Sequence, residues 1–222
     1  MSRFNTFIFD LDGTLIDTYQ GILRSLNSVL DAFAVAPVDL PTLKKRVGRG
    51  LEDLIHRSVG EARLQEGIRL FRAFYDRMHL EGSFLLPGVQ DTLQHLHMLE
   101  MKMAVASNKP ADYSKSLLRH LQIDSFFMEC CGPNKEMKPK PDPQMLRFVI
   151  DALQAAPAET LYVGDMPLDV ETARNAGISV ALIPTGGFAI EELRKSQPDF
   201  LLKDFRMLTS VISPQRRGDR RV

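Results

Sequence analysis

Six short apolar runs mark the chain: Thr6 to Phe9, Met103 to Ala106, Phe126 to Cys130, Leu161 to Val163, Val180 to Ile183 and Phe200 to Leu202. Most are continuous rather than alternating, which is the pattern of strands covered on both faces in a parallel sheet. Helical stripes lie between them. Leu117, Leu118 and Leu121 share one face, and Met145, Phe148, Val149 and Leu153 share another. Strands alternating with helices predict βαβ units and an α/β fold with a doubly wound parallel sheet.

One interval breaks the rhythm. From Tyr19 to about Phe84 the apolar spacing is helical throughout, with Ile22, Leu26, Val29, Leu30 and Phe33 on one stripe and Leu64, Ile68, Phe71, Tyr75 and Met78 on another. "APVDLP" and "VGRG" punctuate it. The expectation is a small all-helical cap, residues 18–83, inserted after the first strand into a core made of residues 1–17 and 84–222. Pro87 and Gly88 read as the return hinge, with a helix starting at Val89.

Composition narrows the class. Hydrophobic residues make up 44% and charged residues 25%, and Lys+Arg and Asp+Glu both number 28. A balanced charge gives no reason to expect nucleic acid or a membrane surface as partner. The basic tail "PQRRGDRRV" reads as a solvated end rather than an anion-binding arm. Cys130 and Cys131 are adjacent, so no disulfide framework exists and a cytoplasmic location is expected. The start lacks a basic segment followed by a long apolar one, and no run approaches a membrane span.

Candidate chemistry gathers where strands end. In a parallel α/β sheet, ligands bind beyond the carboxyl ends of the strands. Asp10 and Asp12 follow the first strand, and Ser107, Asn108 and Lys109 follow "MAVA". Gly164, Asp165 and Asp169 follow "LYV", and Lys140 stands in "KPKPDP" ahead of a helix. Clustered carboxylates repel one another, and an oxygen-only set suits Mg²⁺. The five histidines are scattered on helical patterns with no partner in view. Phe71, Phe74 and Tyr75 read as helix-packing residues, and Lys109 reads equally as site or surface charge.

Four motifs in order resemble those of the haloacid dehalogenase-like (HAD) phosphatases. "DLDGTLIDT" resembles the D-x-D-G-T motif, "VASNKP" the Ser/Thr strand end, "KPDP" the lysine motif and "GDMPLD" the G-D-x-x-x-D motif. The resemblance implies a Rossmann-like core and a Mg²⁺ cofactor. It implies Asp10 as nucleophile, Asp12 as general acid and base, and Ser107 and Asn108 as phosphoryl-binding groups, with Thr14 fixing the turn as part of the substrate site. Asp10, Asp12 (through its carbonyl), Asp165 and Asp169 would hold the metal, and Lys140 would balance charge. Both Lys138 and Lys140 fit K-P-x-P. Lys140 is preferred because the 25 residues from it to Asp165 match the spacing associated with the family.

"VGRGLEDLI", "LPGV", "SNKP" and "PDFLLKDFRML" resemble the phosphoglycolate phosphatase-like branch. The implied partner is a small phosphorylated metabolite, with 2-phosphoglycolate first and Arg49 as a clamp for its carboxylate. A monomer or homodimer is expected. A β-phosphoglucomutase-like transferase, a sugar-phosphate phosphatase, a pyrophosphatase and a catalytically idle binding module stay open as alternatives.

Overall fold

The computed structural model describes residues 3–212. The basic tail lies outside the described residues.

Eight strands and ten α-helices follow one another among the described residues. The strands are β1 (Thr6–Phe9), β2 (Ile16–Asp17), β3 (Phe84–Leu85), β4 (Lys102–Ala106), β5 (Glu129–Cys131), β6 (Thr160–Gly164), β7 (Ser179–Leu182) and β8 (Phe200–Leu201). The helices are α1 (Tyr19–Ala32), α2 (Leu40–Arg46), α3 (Leu51–Val59), α4 (Leu64–Met78), α5 (Val89–Met98), α6 (Ala111–His120), α7 (Gln144–Ala152), α8 (Pro167–Ala176), α9 (Ile190–Lys195) and α10 (Leu208–Ile212).

Six strands form one parallel sheet in the order β5-β4-β1-β6-β7-β8. The expected doubly wound α/β core is therefore present. The pleat of β1 shows why its sequence is apolar without alternation. Phe7 and Phe9 point into a cluster with Leu93 and Leu96 of α5 and Leu117 of α6, while Ile8 points the other way, among Met145 and Val149 of α7 and Val170 of α8. Both faces are covered, so every position must be apolar or satisfied. β1 is also where the winding direction reverses, with β4 and β5 on one side and β6, β7 and β8 on the other.

Two departures from the expected elements have local causes. The fifth-strand segment is shifted: Asp124–Phe126 forms a 3₁₀ turn, and pairing with β4 begins only at Glu129. The unexpected pair is β2 with β3, an antiparallel ribbon in which Ile16 faces Leu85 and Asp17 faces Phe84. Strands two residues long carry no readable periodicity.

Helices α1–α4 pack on one another around Leu26, Leu30, Ile55, Phe71 and Tyr75, an apolar cluster separate from the two beside the sheet. Gly67 of α4 lets this contact close, since a Cβ there would stand 2.6 Å from the Ile55 side chain. No helix among the described residues is long and apolar enough to cross a membrane.

Candidate active site

The carboxyl end of β1 runs directly into Asp10, whose amide still donates to the Val163 carbonyl of β6 at 2.9 Å. A tight turn follows, with Thr14, Leu15 and Ile16 all donating to the Leu11 carbonyl. Gly13 makes this turn at φ +84°, and a Cβ on it would stand 2.7 Å from Asp165 Oδ2. Gly186, from the loop after β7, is tighter still: its Cβ would reach within 1.7 Å of the same oxygen. The backbone thus closes around Asp165 from two sides.

Asp10, Asp165 and Asp169 are buried, and one oxygen of each lies within 4.8 Å of the others. Lys140 enters from the loop before α7, with its Nζ 2.8 Å from Asp10 Oδ2 and 2.7 Å from Asp169 Oδ1. It also donates to the Tyr162 hydroxyl at 3.1 Å, and that hydroxyl donates to the Ala106 carbonyl. Lys138 is exposed. Asp169, in the first turn of α8, uses its other oxygen to accept from the amides of Asp165 and Met166, each at 3.1 Å. It is a helix-start acceptor and a lysine partner at once.

Electrostatics follow from this crowding. Burial, then the neighbouring Asp169 and Asp10, pushes the Asp165 carboxyl well above its usual pKa, against the pull of Thr14 and Lys140. Burial also raises Asp169, while Lys140 opposes it. Burial works to strip the proton from Lys140, but the carboxylates of Asp10 and Asp169 overcome it and hold the ammonium above its normal range. Three buried carboxylates around one ammonium leave the cluster short of positive charge. Two of their oxygens, Asp10 Oδ1 and Asp165 Oδ2, are buried without any hydrogen-bond partner. Unpaired carboxylate oxygens in a dry site are costly unless something cationic meets them. A hard divalent ion with oxygen ligands fits this donor set.

Asp12 is turned away from that cluster. Its Oδ2 lies 2.9 Å from Lys109 Nζ, and its Oδ1 accepts from the Thr18 hydroxyl at 2.6 Å. Ser107 and Asn108 are buried at the end of β4. The Asn108 side chain accepts from the Lys140 amide at 2.7 Å and donates to the Gly48 carbonyl of the helical bundle at 2.9 Å. Asp10, Asp12, Ser107, Asn108 and Lys109 line one cavity, which has about 630 Å³ of empty space counting the solvent at its mouth.

Five sequence candidates are outside the lining of this cavity: Lys140, Asp165 and Asp169, which meet Asp10 in the carboxylate cluster, and Thr14 and Arg49, which do not touch Asp10. Thr14 is fully buried behind Asp165, where its hydroxyl donates to Oδ1 at 2.8 Å, so it supports a carboxylate rather than touching a substrate. Arg49 is exposed, and the cavity lining includes Gly48 and Gly50 but skips it. Two residues matter more than the sequence indicated. Lys109 is buried, and its charge lies 5.0 Å over the Tyr75 ring. Tyr162 looked like one more strand residue, yet its hydroxyl braces Lys140. The lysine that follows a strand-end serine was the signal for the first. Nothing in the pattern marked the second.

The family model described as haloacid dehalogenase-like hydrolase matches residues 7–183. The chain belongs to that family. It is therefore a hydrolase, and curated relatives at about 30% identity are named phosphoglycolate phosphatase. A phosphoglycolate phosphatase of Pseudomonas putida is 30% identical over 210 residues, covering 90% of this chain and 77% of that one. Another from Rhodospirillum rubrum is 31% identical over 225 residues, covering 96% and 93%. Among solved structures, a predicted phosphoglycolate phosphatase from Haemophilus somnus superposes with a TM-score of 0.88 at 26% identity, covering 95% of this chain and 99% of that one.

Proposed function

We propose that this chain is a Mg²⁺-dependent phosphatase that hydrolyses a small phosphomonoester through an aspartyl-phosphate on Asp10. The observation that carries the reading is the pair of unpartnered buried oxygens on Asp10 and Asp165, beside a lysine already bound to Asp10's second oxygen. When bound, Mg²⁺ would be held by Asp10, Asp165 and the Asp12 carbonyl, with Asp169 behind, and would supply positive charge against the phosphoryl oxygens.

The chain's own groups do the rest. The Asp10 carboxylate attacks phosphorus, an Asp10–phosphorus bond forms, and the ester P–O bond breaks. The departing alkoxide takes a proton from Asp12 and leaves as an alcohol. Water then attacks phosphorus while giving a proton to Asp12, the Asp10–phosphorus bond breaks, and inorganic phosphate is released. Lys140 neutralises Asp10 as it approaches the dianion. The Ser107 hydroxyl and the Asn108 amide receive phosphoryl oxygens. Helices α1–α4, residues 18–83, act as a cap that excludes water over the reacting bond.

2-Phosphoglycolate is the substrate that the relatives' names supply. The reading itself asks only for a small phosphomonoester. Phosphate release from p-nitrophenyl phosphate tests the reading. The parent should turn over with Mg²⁺ and stop when EDTA is added, and Asp10→Asn should be inactive while remaining folded. An Asp10→Asn variant working at the parent rate would overturn it.

A further inference from the structure

Tyr75 of α4 lines the cavity and is buried, yet its hydroxyl has no hydrogen-bond partner among the described residues. A buried tyrosine hydroxyl normally finds one, because a dry, unpaired donor is costly. The ring is not free to swing toward water. Phe71 stacks on it with 5.3 Å between centres, and Tyr113 meets it edge-on at 5.0 Å. Lys109 lies over its face, 5.0 Å from the centre, but gives its hydrogen bond to Asp12 at 2.9 Å. Burial raises the pKa of the hydroxyl, so it keeps its hydrogen at neutral pH.

The backbone beside it is also short of acceptors. Gly50 and Leu51 line the cavity, and α3 starts there with no side-chain cap, so the amides of its first turn are left over. A Cβ on Gly50 would stand 3.9 Å from the Asn108 carbonyl oxygen, which puts this helix start against the segment that carries Lys109. The acids of the same turn, Glu52 and Asp53, are outside the lining, and Asp53 lies 3.6 Å from Arg57.

We propose that the Tyr75 hydroxyl is a specificity-determining donor, which hydrogen-bonds a carboxylate on the alcohol half of the phosphomonoester, with the uncapped start of α3 and the Lys109 ammonium supplying positive potential around it. This rests on the phosphatase reading above and assigns one residue of its substrate site. With the phosphoryl group at Asp10, the alcohol half faces the bundle, where Tyr75 waits. A neutral donor, an ammonium and a helix start together suit an anion. A carboxylate suits them better than a second phosphate. Lys109 is the one cation among the described residues that line the cavity, and Asp12 already shares it. An ester with an alkyl alcohol leaves the hydroxyl unpaired, and that penalty is what discriminates. The aromatic neighbours hold the ring in place beforehand, so the donor needs no ordering when substrate arrives.

The test compares two esters in the parent and in Tyr75→Phe, which removes a single oxygen. Ethyl phosphate carries a methyl where 2-phosphoglycolate carries its carboxylate. With Mg²⁺ present, the parent's kcat/KM for 2-phosphoglycolate should exceed that for ethyl phosphate by tenfold or more. Tyr75→Phe should lower this ratio at least tenfold, chiefly by raising KM for 2-phosphoglycolate. Without ligand the variant should melt no lower than the parent, because the lost oxygen had no partner. A smaller change in the ratio, or a melt lowered by several degrees, overturns this inference alone, provided the parent hydrolyses p-nitrophenyl phosphate. If the parent releases phosphate from none of the three esters, the phosphatase reading falls and takes the inference with it.

Discussion

Asp165→Asn should make the metal-free protein more stable, although it removes a residue proposed to be essential. Asp165 is wholly buried; Oδ1 accepts the Thr14 hydroxyl at 2.8 Å and Oδ2 has no partner. Its carboxyl is pushed well above the usual pKa by burial and by Asp169 and Asp10. Between the unfolded and the raised folded value, the folded protein binds a proton that the unfolded chain has released. Stability contributed by this group is present at low pH and is lost as pH rises from about 3.9, the unfolded value, through the raised folded value. A buried acceptor without a partner costs about 1–3 kcal/mol, and more when charged. Asparagine keeps an oxygen for Thr14 and cannot ionise, so the loss of stability with rising pH disappears. In EDTA at pH 7 the variant should gain about 1–3 kcal/mol over the parent, and the gain should shrink toward pH 4. Adding Mg²⁺ at a hundredfold excess over its Kd should stabilise the parent by about 2.7 kcal/mol and the variant not at all. Urea unfolding with and without metal, at both pH values, reads all four quantities. A variant less stable than the parent in EDTA, or one that gains as much from Mg²⁺, would refute the reasoning.

The two lysines of "KPKP" should separate cleanly. Lys140→Met removes the ammonium from between Asp10 and Asp169 and should lower kcat by about 10²–10³, whereas exposed Lys138→Met should leave it unchanged in the same steady-state assay. Lys140→Met should also lose about 3–5 kcal/mol in urea unfolding without metal, because two buried carboxylates lose their counter-charge. Arg49→Ala should leave kcat/KM for 2-phosphoglycolate within twofold, since that side chain lies outside the cavity lining.

The parts of this fold legible in the sequence are those where burial dictates residue type. β1, β4, β6 and β7 are covered on both faces, and their continuous apolar runs announced them within about a residue. The strand-end carboxylates could also be read, because charge at the end of a buried run demands a reason. Side-chain direction on loops could not. Arg49 sits between two glycines, and nothing in its spacing says whether it faces the cavity or water. Lys109 lies two residues beyond Ser107, and only the position of α4 shows that it meets Tyr75 and Asp12 rather than solvent. Phe71 and Tyr75 keep the helix-packing role that their periodicity suggests, and they also line the cavity. Periodicity cannot distinguish the two uses, since a residue on the inner edge of a bundle serves both.

The ribbon of β2 and β3 has an evolutionary consequence. The chain enters the helical bundle through Ile16–Asp17 and returns through Phe84–Leu85, a ribbon separate from the six-stranded sheet, and the two passages are laced together by backbone hydrogen bonds. Everything between them departs and returns at one doorway. A different cassette could be spliced in at two adjacent joints, without rethreading a strand or disturbing the acids behind it. Ancestral exchange at that doorway would alter which molecule is admitted and leave the reaction itself intact.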